Sequence, residues 1–143
     1  MNNGKERFAM KFVRERDLRS AAPDAKKFTA GVWQTEALTA LRDEGLRGHR
    51  FVYQPGAHSH WHTHTGEQAL VVLAGRGIVA RWGEESGTEV GSGDWVHVEP
   101  GEKHWHGALD DDVFVHLAVS ASGQTEWHDP VSDAEYQSGL PAT

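Results

Sequence analysis

Hydrophobic positions along the chain fall in short runs rich in β-branched and aromatic residues, separated by Gly, Pro, Asp or Ser. Runs of this length and punctuation predict the strands of an all-β sandwich or barrel built from hairpins. Glycines within residues 75–77 and 83–87 predict tight turns, because glycine adopts positive φ at little cost. The predicted strands cover residues 28–33, 49–54, 69–73, 77–82, 94–98 and 113–120.

Signals for helix are weak and lie outside these runs. Residues 36–47 predict either a short helix or a loop, and residues 132–135 form a capping box that opens one C-terminal turn. Residues 1–27 have mixed charge and one candidate strand over residues 7–13. We therefore expect an N-terminal arm, residues 1–27, followed by one β-barrel domain, residues 28–143.

Composition excludes several classes of function. The 143 residues carry a formal net charge of −7 without a basic patch, so neither nucleic acid nor an anionic membrane surface is an expected partner. The chain has no cysteine, which excludes disulfides, Fe–S clusters and thiolate nucleophiles. No apolar run has the length of a membrane span or a signal peptide, and we expect a cytoplasmic protein.

Histidine is the unusual component, with ten residues in all and four of them alternating over residues 58–64. In an extended strand these four imidazoles would lie on one face, because side chains repeat every two residues. The alternative is that these histidines have no functional role and lie on a solvated surface strand. The apolar segment that follows, residues 69–75, predicts a buried strand and favours a cavity lining, in which imidazoles are common metal ligands.

The spacing around these histidines resembles the first cupin motif, G-x5-H-x-H-x3-E-x6-G. Gly56, His62, His64 and Gly75 match it, and Gln68 stands where the family usually has glutamate.

Residues 93–108 resemble the second cupin motif, G-x5-P-x-G-x2-H-x3-N. Gly93, Gly101 and His104 match it, whereas Glu99 and Ala108 replace the first proline and the final asparagine. The resemblance implies a single-domain cupin, a double-stranded β-helix or jelly-roll barrel. It also implies one divalent metal held by His62, His64, Gln68 and His104.

Elementary coordination chemistry agrees with this donor set. His62 and His64 project to the same side of a strand, and ligands from other strands would leave one or two coordination positions open for solvent or substrate. Three imidazoles and an amide are neutral, so the metal keeps its full charge. Nitrogen and oxygen donors suit Mn, Fe, Co, Ni, Cu or Zn. Glu67 adjoins Gln68 and would replace it after a one-residue change of register, but the motif spacing selects Gln68.

Further histidines and aromatic residues are candidates for the same cavity. His106 lies two residues after His104, and His116 lies on an apolar strand; general base and substrate orientation are the roles considered for them. The remaining candidate cavity residues are His49, Phe51 and Tyr53 on one face of an early strand, and His58 and His60 at the mouth or behind the ligands.

Three sequence strings, WHTH before the glutamine, PGEKHWHGA and TEWHDPVSDAEY, are similar to those of the bacterial cupin hydroxynitrile lyases, which resemble mandelonitrile lyase. The similarity runs from about residue 28 to residue 136. It implies a metal, often manganese, on three histidines and one glutamine. It further implies His116 as the base, His106 beside the substrate, and His49 and Phe51 in the cavity.

The leading hypothesis is therefore a metal-dependent lyase acting on small cyanohydrins. An Fe(II)-dependent cupin dioxygenase and a non-catalytic cupin that binds a metal or small ligand remain alternatives. A sugar-phosphate isomerase ranks lower, because the basic residues that could bind phosphate are scattered. Small cupins often pair through N-terminal strands, which implies a homodimer or homotetramer with contacts from residues 7–13 and 28–33.

Overall fold

The computed structural model describes residues 10–39 and 45–142, and these residues are mainly antiparallel β-strand. None of the helices in this part of the chain has the length and apolar character needed to cross a bilayer. The elements are β1 (Ser20–Ala21), β2 (Val32–Leu38), β3 (Arg47–Tyr53), β4 (His62–His64), β5 (Gln68–Arg81), β6 (Thr88–Gly91), β7 (Trp95–Val98), β8 (His104–Ala108), β9 (Phe114–Ser120), β10 (Thr125–Trp127) and α1 (Asp133–Gly139).

The strands form one curled antiparallel sheet with the order β1-β2-β3-β9-β5-β8-β4-β10, and β6 and β7 also pair with β5. The all-β fold predicted from the sequence is confirmed. The predicted strands 49–54, 94–98 and 113–120 correspond to β3, β7 and β9. Because consecutive strands such as β4 and β5 lie apart in the sheet, residues distant in sequence meet inside the curl.

Strand β5 corrects one sequence prediction. The segments 69–73 and 77–82 form one continuous strand through Arg81, and no turn separates them at residues 75–77. Gly75 does adopt positive φ, 73°, but beside a bulge between Val72 and Ala74. A bulge bends a strand without reversing it. The bend lets the first half of β5 pair with β7 and β9 and the second half with β6 and β8.

Strand β2 also differs from its prediction. Phe28 makes only an isolated bridge to Ser59, and Gly31 with φ 86° precedes the strand, which runs through Leu38. Residues 36–38, for which a helix or loop was expected, are therefore strand, stabilised by pairing with β3. Residues 40–44 lie outside the described residues. Of the candidate strand 7–13, residues 7–9 also lie outside them, and residues 10–13 belong to no strand.

The turn at residues 83–87 and the C-terminal capping box are both confirmed. The turn joins β5 to β6 as a hairpin. Ser132 accepts a hydrogen bond from the Glu135 amide and the Glu135 carboxylate accepts one from the Ser132 amide, which satisfies free donors at the start of α1. Tyr136 in α1 is buried and donates its hydroxyl to the Ala108 carbonyl at 2.8 Å, which fastens the helix to the sheet.

Two apolar clusters flank the centre of the sheet. The larger one lies within the curl and contains Phe28, Phe51, Tyr53, Leu70 and Phe114 among its buried members. The smaller one lies between the sheet and α1 and is built from Trp61, Ile78, Ala80, Trp105, Leu109, Val131 and Tyr136. Buried histidines lie inside the curl beside the larger cluster, so the fold puts polar groups where burial is costly unless they are satisfied.

Candidate metal centre

Three imidazoles meet where β4 pairs with β8. His62 lies directly opposite His104 in the register, and His64 lies two residues along the same face of β4. The His62 ring centroid is 4.2 Å from that of His104 and 5.0 Å from that of His64. One ring nitrogen from each residue lies within 4.8 Å of the others, so these three histidines could hold a metal ion.

The Nδ1 atoms of His62 and His104 are engaged away from this meeting point. Each lies 2.8 Å from a backbone carbonyl, that of His60 and that of Glu102 respectively. A carbonyl only accepts, so Nδ1 carries the proton in both rings and Nε2 keeps its lone pair. This is the arrangement by which outer hydrogen bonds orient metal-ligating histidines.

His64 and Gln68 are oriented by side-chain hydroxyls. The Nδ1 atom of His64 lies 3.0 Å from the Thr125 hydroxyl, and the Gln68 amide NH2 donates to the Ser120 hydroxyl at 3.4 Å. The amide NH2 of Gln68 is thereby engaged with β9, and its buried amide oxygen has no partner among the described residues. Glu67 is exposed and pairs with His97 at 3.5 Å, so the structure turns Gln68, and not its neighbour, into the site.

Three buried polar atoms in this cluster lack a hydrogen-bond partner within residues 10–39 and 45–142: Nε2 of His64, Nε2 of His104 and Oε1 of Gln68. Unpaired buried acceptors are rare because no hydrogen bond offsets the cost of removing the acceptor from water. Oε1 of Gln68 and Nε2 of His104 carry lone pairs, and Nε2 of His64 carries one when Nδ1 donates to the Thr125 hydroxyl. These are the donors that a divalent metal requires. The residues present therefore fit a metal with nitrogen and oxygen ligands.

Burial keeps the three imidazoles neutral near pH 7. It holds the pKa of His62 well below its usual value, with the neighbouring His104 adding to the effect. Burial, again with His104 second, lowers the pKa of His64 to about 4. The pKa of His104 is lowered by burial as well. Metal ligation needs the unprotonated ring, so the apolar surroundings prepare these side chains for it.

A cavity of about 360 Å³ opens onto the site. Its apolar walls include Phe28, Phe51 and Trp127. The Trp127 ring packs against the His62 ring with centroids 4.7 Å apart. The polar residues that line it are Lys27, Gln34, Arg47, His49, His62, His64, Gln68, His106, Ser120, Gln124 and Thr125. His49 is partly buried, and burial lowers its pKa. A larger cavity, of about 600 Å³, lies away from the histidines, beneath α1.

His106 and His116 occupy different depths. His106 lines the cavity, with its ring centroid 5.1 Å from that of His62, and its Nδ1 lies 2.8 Å from the Tyr53 hydroxyl. His116 is 0% exposed behind it, and its Nε2 lies 2.9 Å from the same hydroxyl. Burial lowers the pKa of both histidines, that of His116 to about 4. Tyr53 bridges the two rings and does not line the cavity.

His58 and His60 do not reach the cavity, which corrects the expectation that all four alternating histidines share one face. The regular strand begins only at His62. The His58 ring stacks on Tyr136 at 5.0 Å, and His60 accepts a hydrogen bond from the Val131 amide. The chain before β4 thus turns these two rings toward the cluster under α1.

Sequence reasoning missed three contributors. Thr125 and Trp127 belong to β10, which pairs in register with β4 so that they lie opposite His64 and His62. Ser120 ends β9 opposite Gln68. A three-residue strand such as β10 carries too little pattern to be predicted, although Thr125 and Trp127 lie in the string TEWHDPVSDAEY, and Ser120 ends a predicted strand without a distinguishing signal.

Together, fold and site define a curled β-barrel protein with a site that could hold one metal ion. A family model described as "cupin domain" matches residues 49–120. The chain is also 38% identical over 114 residues to a protein of Granulicella tundricola named (R)-mandelonitrile lyase, covering 75% of this chain and 84% of that protein. The chain belongs to the cupin family.

Solved structures agree on the fold. A cupin-like protein from Thermotoga maritima is 31% identical, with a TM-score of 0.82, covering 87% of this chain and 96% of that chain. The polyketide cyclase RemF from Streptomyces resistomycificus is 17% identical, with a TM-score of 0.72 over 90% of this chain and 92% of that chain. At that identity the second similarity concerns the fold alone.

Proposed function

We propose that the protein is a metal-dependent lyase that cleaves small cyanohydrins into an aldehyde and hydrogen cyanide. One divalent metal, with manganese favoured, would be held by Nε2 of His62, His64 and His104 and by Oε1 of Gln68. The observation that carries the proposal is that His64 and Gln68, each with an unpaired buried atom suited to a metal, line one partly apolar cavity together with His106. The relative named (R)-mandelonitrile lyase supports the choice of reaction.

The cavity suits a small substrate with an aromatic or aliphatic group. Its volume of about 360 Å³ is near the lower end of the range for small-molecule sites, roughly 300–1,000 Å³. Phe28, Phe51 and Trp127 would contact the apolar part of the substrate. The hydroxyl and nitrile groups would then lie near the histidines. A bound metal supplies a Lewis acid that polarises the substrate oxygen.

In this mechanism His106 moves the proton. Its Nε2 accepts the hydroxyl proton while the bond between the carbinol carbon and the nitrile carbon breaks. The O–H electron pair becomes the carbonyl π bond, and the C–C electron pair leaves with cyanide. The proton then passes from Nε2 to cyanide, so that the products are aldehyde and hydrogen cyanide. Burial favours the neutral ring of His106 both before the transfer and after it.

The sequence resemblance assigned the base to His116. Both ring nitrogens of His116 have partners inside the protein, the Leu117 carbonyl and the Tyr53 hydroxyl, and the residue is 0% exposed. We therefore assign substrate contact to His106 and a supporting position to His116.

Turnover of mandelonitrile tests the proposal. Benzaldehyde formation from each enantiomer is followed with manganese-loaded protein, metal-stripped protein and the variants His106→Gln and His104→Ala. We expect turnover by the loaded wild type, none by the metal-stripped protein or by His104→Ala, and a loss of roughly 10²- to 10⁴-fold in His106→Gln. His97→Gln, an exposed histidine outside the cavity, is the matched control and should retain activity. Equal rates in loaded and stripped protein would refute metal dependence.

We also propose that the protein forms a homodimer through the outer face of the sheet. Trp33 and Trp95 are 39% and 74% exposed there, and Val71, Val115 and Leu117 lie between them on outward-facing register positions. A contiguous apolar patch of this kind is typical of an interaction surface. Light scattering after size exclusion should give a dimer mass for the wild type and a monomer mass for Trp95→Glu. A monomeric wild type would exclude the dimer.

A further inference from the structure

Buried hydrogen bonds behind His106 determine which ring atom it presents to the cavity, and the role of that atom rests on the proposed function. His116 Nδ1 lies 3.2 Å from the Leu117 carbonyl, which accepts only, so Nδ1 carries the proton of this neutral ring. Its Nε2 therefore has a lone pair. At 2.9 Å from that lone pair, the Tyr53 hydroxyl must donate.

A hydroxyl has one proton, so Tyr53 can donate only once. Its second contact, with His106 Nδ1 at 2.8 Å, must then run the other way, with Nδ1 donating to the hydroxyl oxygen. A neutral His106 with its proton on Nδ1 has a lone pair on Nε2. That atom has no hydrogen-bond partner among the described residues, and His106 lines the cavity beside the histidine cluster.

We propose that Tyr53 is a positioning residue that sets the tautomer of His106, so that the cavity is lined by a hydrogen-bond acceptor at Nε2 and not by a donor. The Leu117 carbonyl sets the donor and acceptor roles in these hydrogen bonds. It fixes the proton of His116 on Nδ1, so Tyr53 must donate to His116 Nε2. The site consequently selects a ligand that presents a hydroxyl to His106, as a cyanohydrin does. A carboxylate oxygen at that position would meet a lone pair and be disfavoured.

Ring packing and backbone hydrogen bonds hold the side chains of His106, Tyr53 and His116 in place. The Tyr53 ring stacks on His116 with centroids 5.4 Å apart and contacts His106 edge-on at 6.2 Å. The His106 amide donates to the Ser59 hydroxyl at 3.1 Å, and the His106 carbonyl accepts from the Ser59 amide at 2.9 Å. All three side chains in the chain are buried, so water does not compete for their hydrogen bonds.

Nitrogen NMR tests the tautomer directly. Protein labelled with ¹⁵N-histidine is loaded with diamagnetic Zn²⁺, and long-range ¹H–¹⁵N correlations report which ring nitrogen carries the proton. In the wild type we expect a pyrrole-type Nδ1 and a pyridine-type Nε2 at His106, assigned by the signals that disappear in His106→Gln. Tyr53→Phe should shift both His106 nitrogens toward tautomer-averaged values and leave His116 with its proton on Nδ1.

His116→Phe gives the opposite and more specific result. Without an acceptor at position 116, the Tyr53 proton is free to point at His106, and the His106 signals should exchange type, with Nε2 becoming pyrrole-type. Tyr136→Phe, which removes a buried tyrosine hydroxyl outside the cavity and outside these hydrogen bonds, should leave the His106 signals unchanged. If Tyr53→Phe does not fold, His116→Phe decides alone. A pyrrole-type Nε2 in the wild type, or an unchanged tautomer in His116→Phe, overturns the proposal.

The kinetic consequence separates this proposal from the proposed function. If the wild type turns over mandelonitrile, Tyr53→Phe should lower kcat about 10- to 100-fold with little change in KM. No turnover by the wild type, together with the expected NMR result, would contradict the lyase and retain the role of Tyr53. Turnover by the wild type with the reverse tautomer would contradict the role of Tyr53 alone.

Discussion

Acid should destabilise the metal-free protein through its buried histidines, and His116 permits a magnitude to be calculated. Its side chain is 0% exposed, and burial lowers its pKa to about 4, with the hydrogen bond to the Leu117 carbonyl opposing part of the shift. In the unfolded chain the pKa of a histidine is about 6.5. Between these two values the unfolded state binds a proton that the folded state does not, so stability falls as pH decreases.

Each unit of pH within this window is equivalent to about 1.4 kcal/mol for one fully protonating group. Titration of His116 should therefore lower the free energy of unfolding by about 2 kcal/mol between about pH 7 and pH 5. This decrease ends below about pH 4. Burial shifts other histidines in the same direction, so the wild type should lose more than this. They are His49, His58, His60, His62, His64, His104 and His106.

Urea unfolding of chelator-treated protein at about pH 7, 6 and 5 measures the effect. His116→Phe should show a loss of stability smaller than that of the wild type by about 2 kcal/mol over this range. Tyr136→Phe is weakened by about 1 kcal/mol through a lost buried hydrogen bond but keeps all buried histidines, and should follow the wild-type dependence on pH. If His116→Phe falls as steeply as the wild type, a neutral buried His116 is not the cause.

Three further predictions concern the outer support of the site and the backbone. Thr125→Val removes the hydroxyl beside His64 and should weaken zinc binding about 10- to 100-fold in a chelator competition; unchanged affinity would argue against that support. Gly75→Ala adds a Cβ at φ 73° that meets the Val113 carbonyl, so urea unfolding should show a loss of roughly 3 kcal/mol or more, and a wild-type value would contradict the close approach. Ser132→Ala removes the helix cap and should cost about 1 kcal/mol, with a larger loss indicating a role beyond the cap.

Local pattern was enough for much of the fold. Alternation and turn punctuation located most strand positions, because a strand buried on one face repeats every two residues. The errors at residues 75–77 and in β2 have a common cause. At residues 75–77 and at residues 36–38 the chain forms a strand next to a bulge, and pairing partners distant in the chain decide this.

The candidate ligands were predictable for a similar reason. His62 and His64 are two residues apart, and the motif spacing to Gln68 and His104 is written in the chain itself. Tertiary structure alone decided the rest. It directed His58 away from the cavity, brought β10 beside β4, and put His106, Tyr53 and His116 in one hydrogen-bonded chain. These contacts join segments far apart in sequence, so their geometry depends on how the sheet curls, which no local pattern encodes.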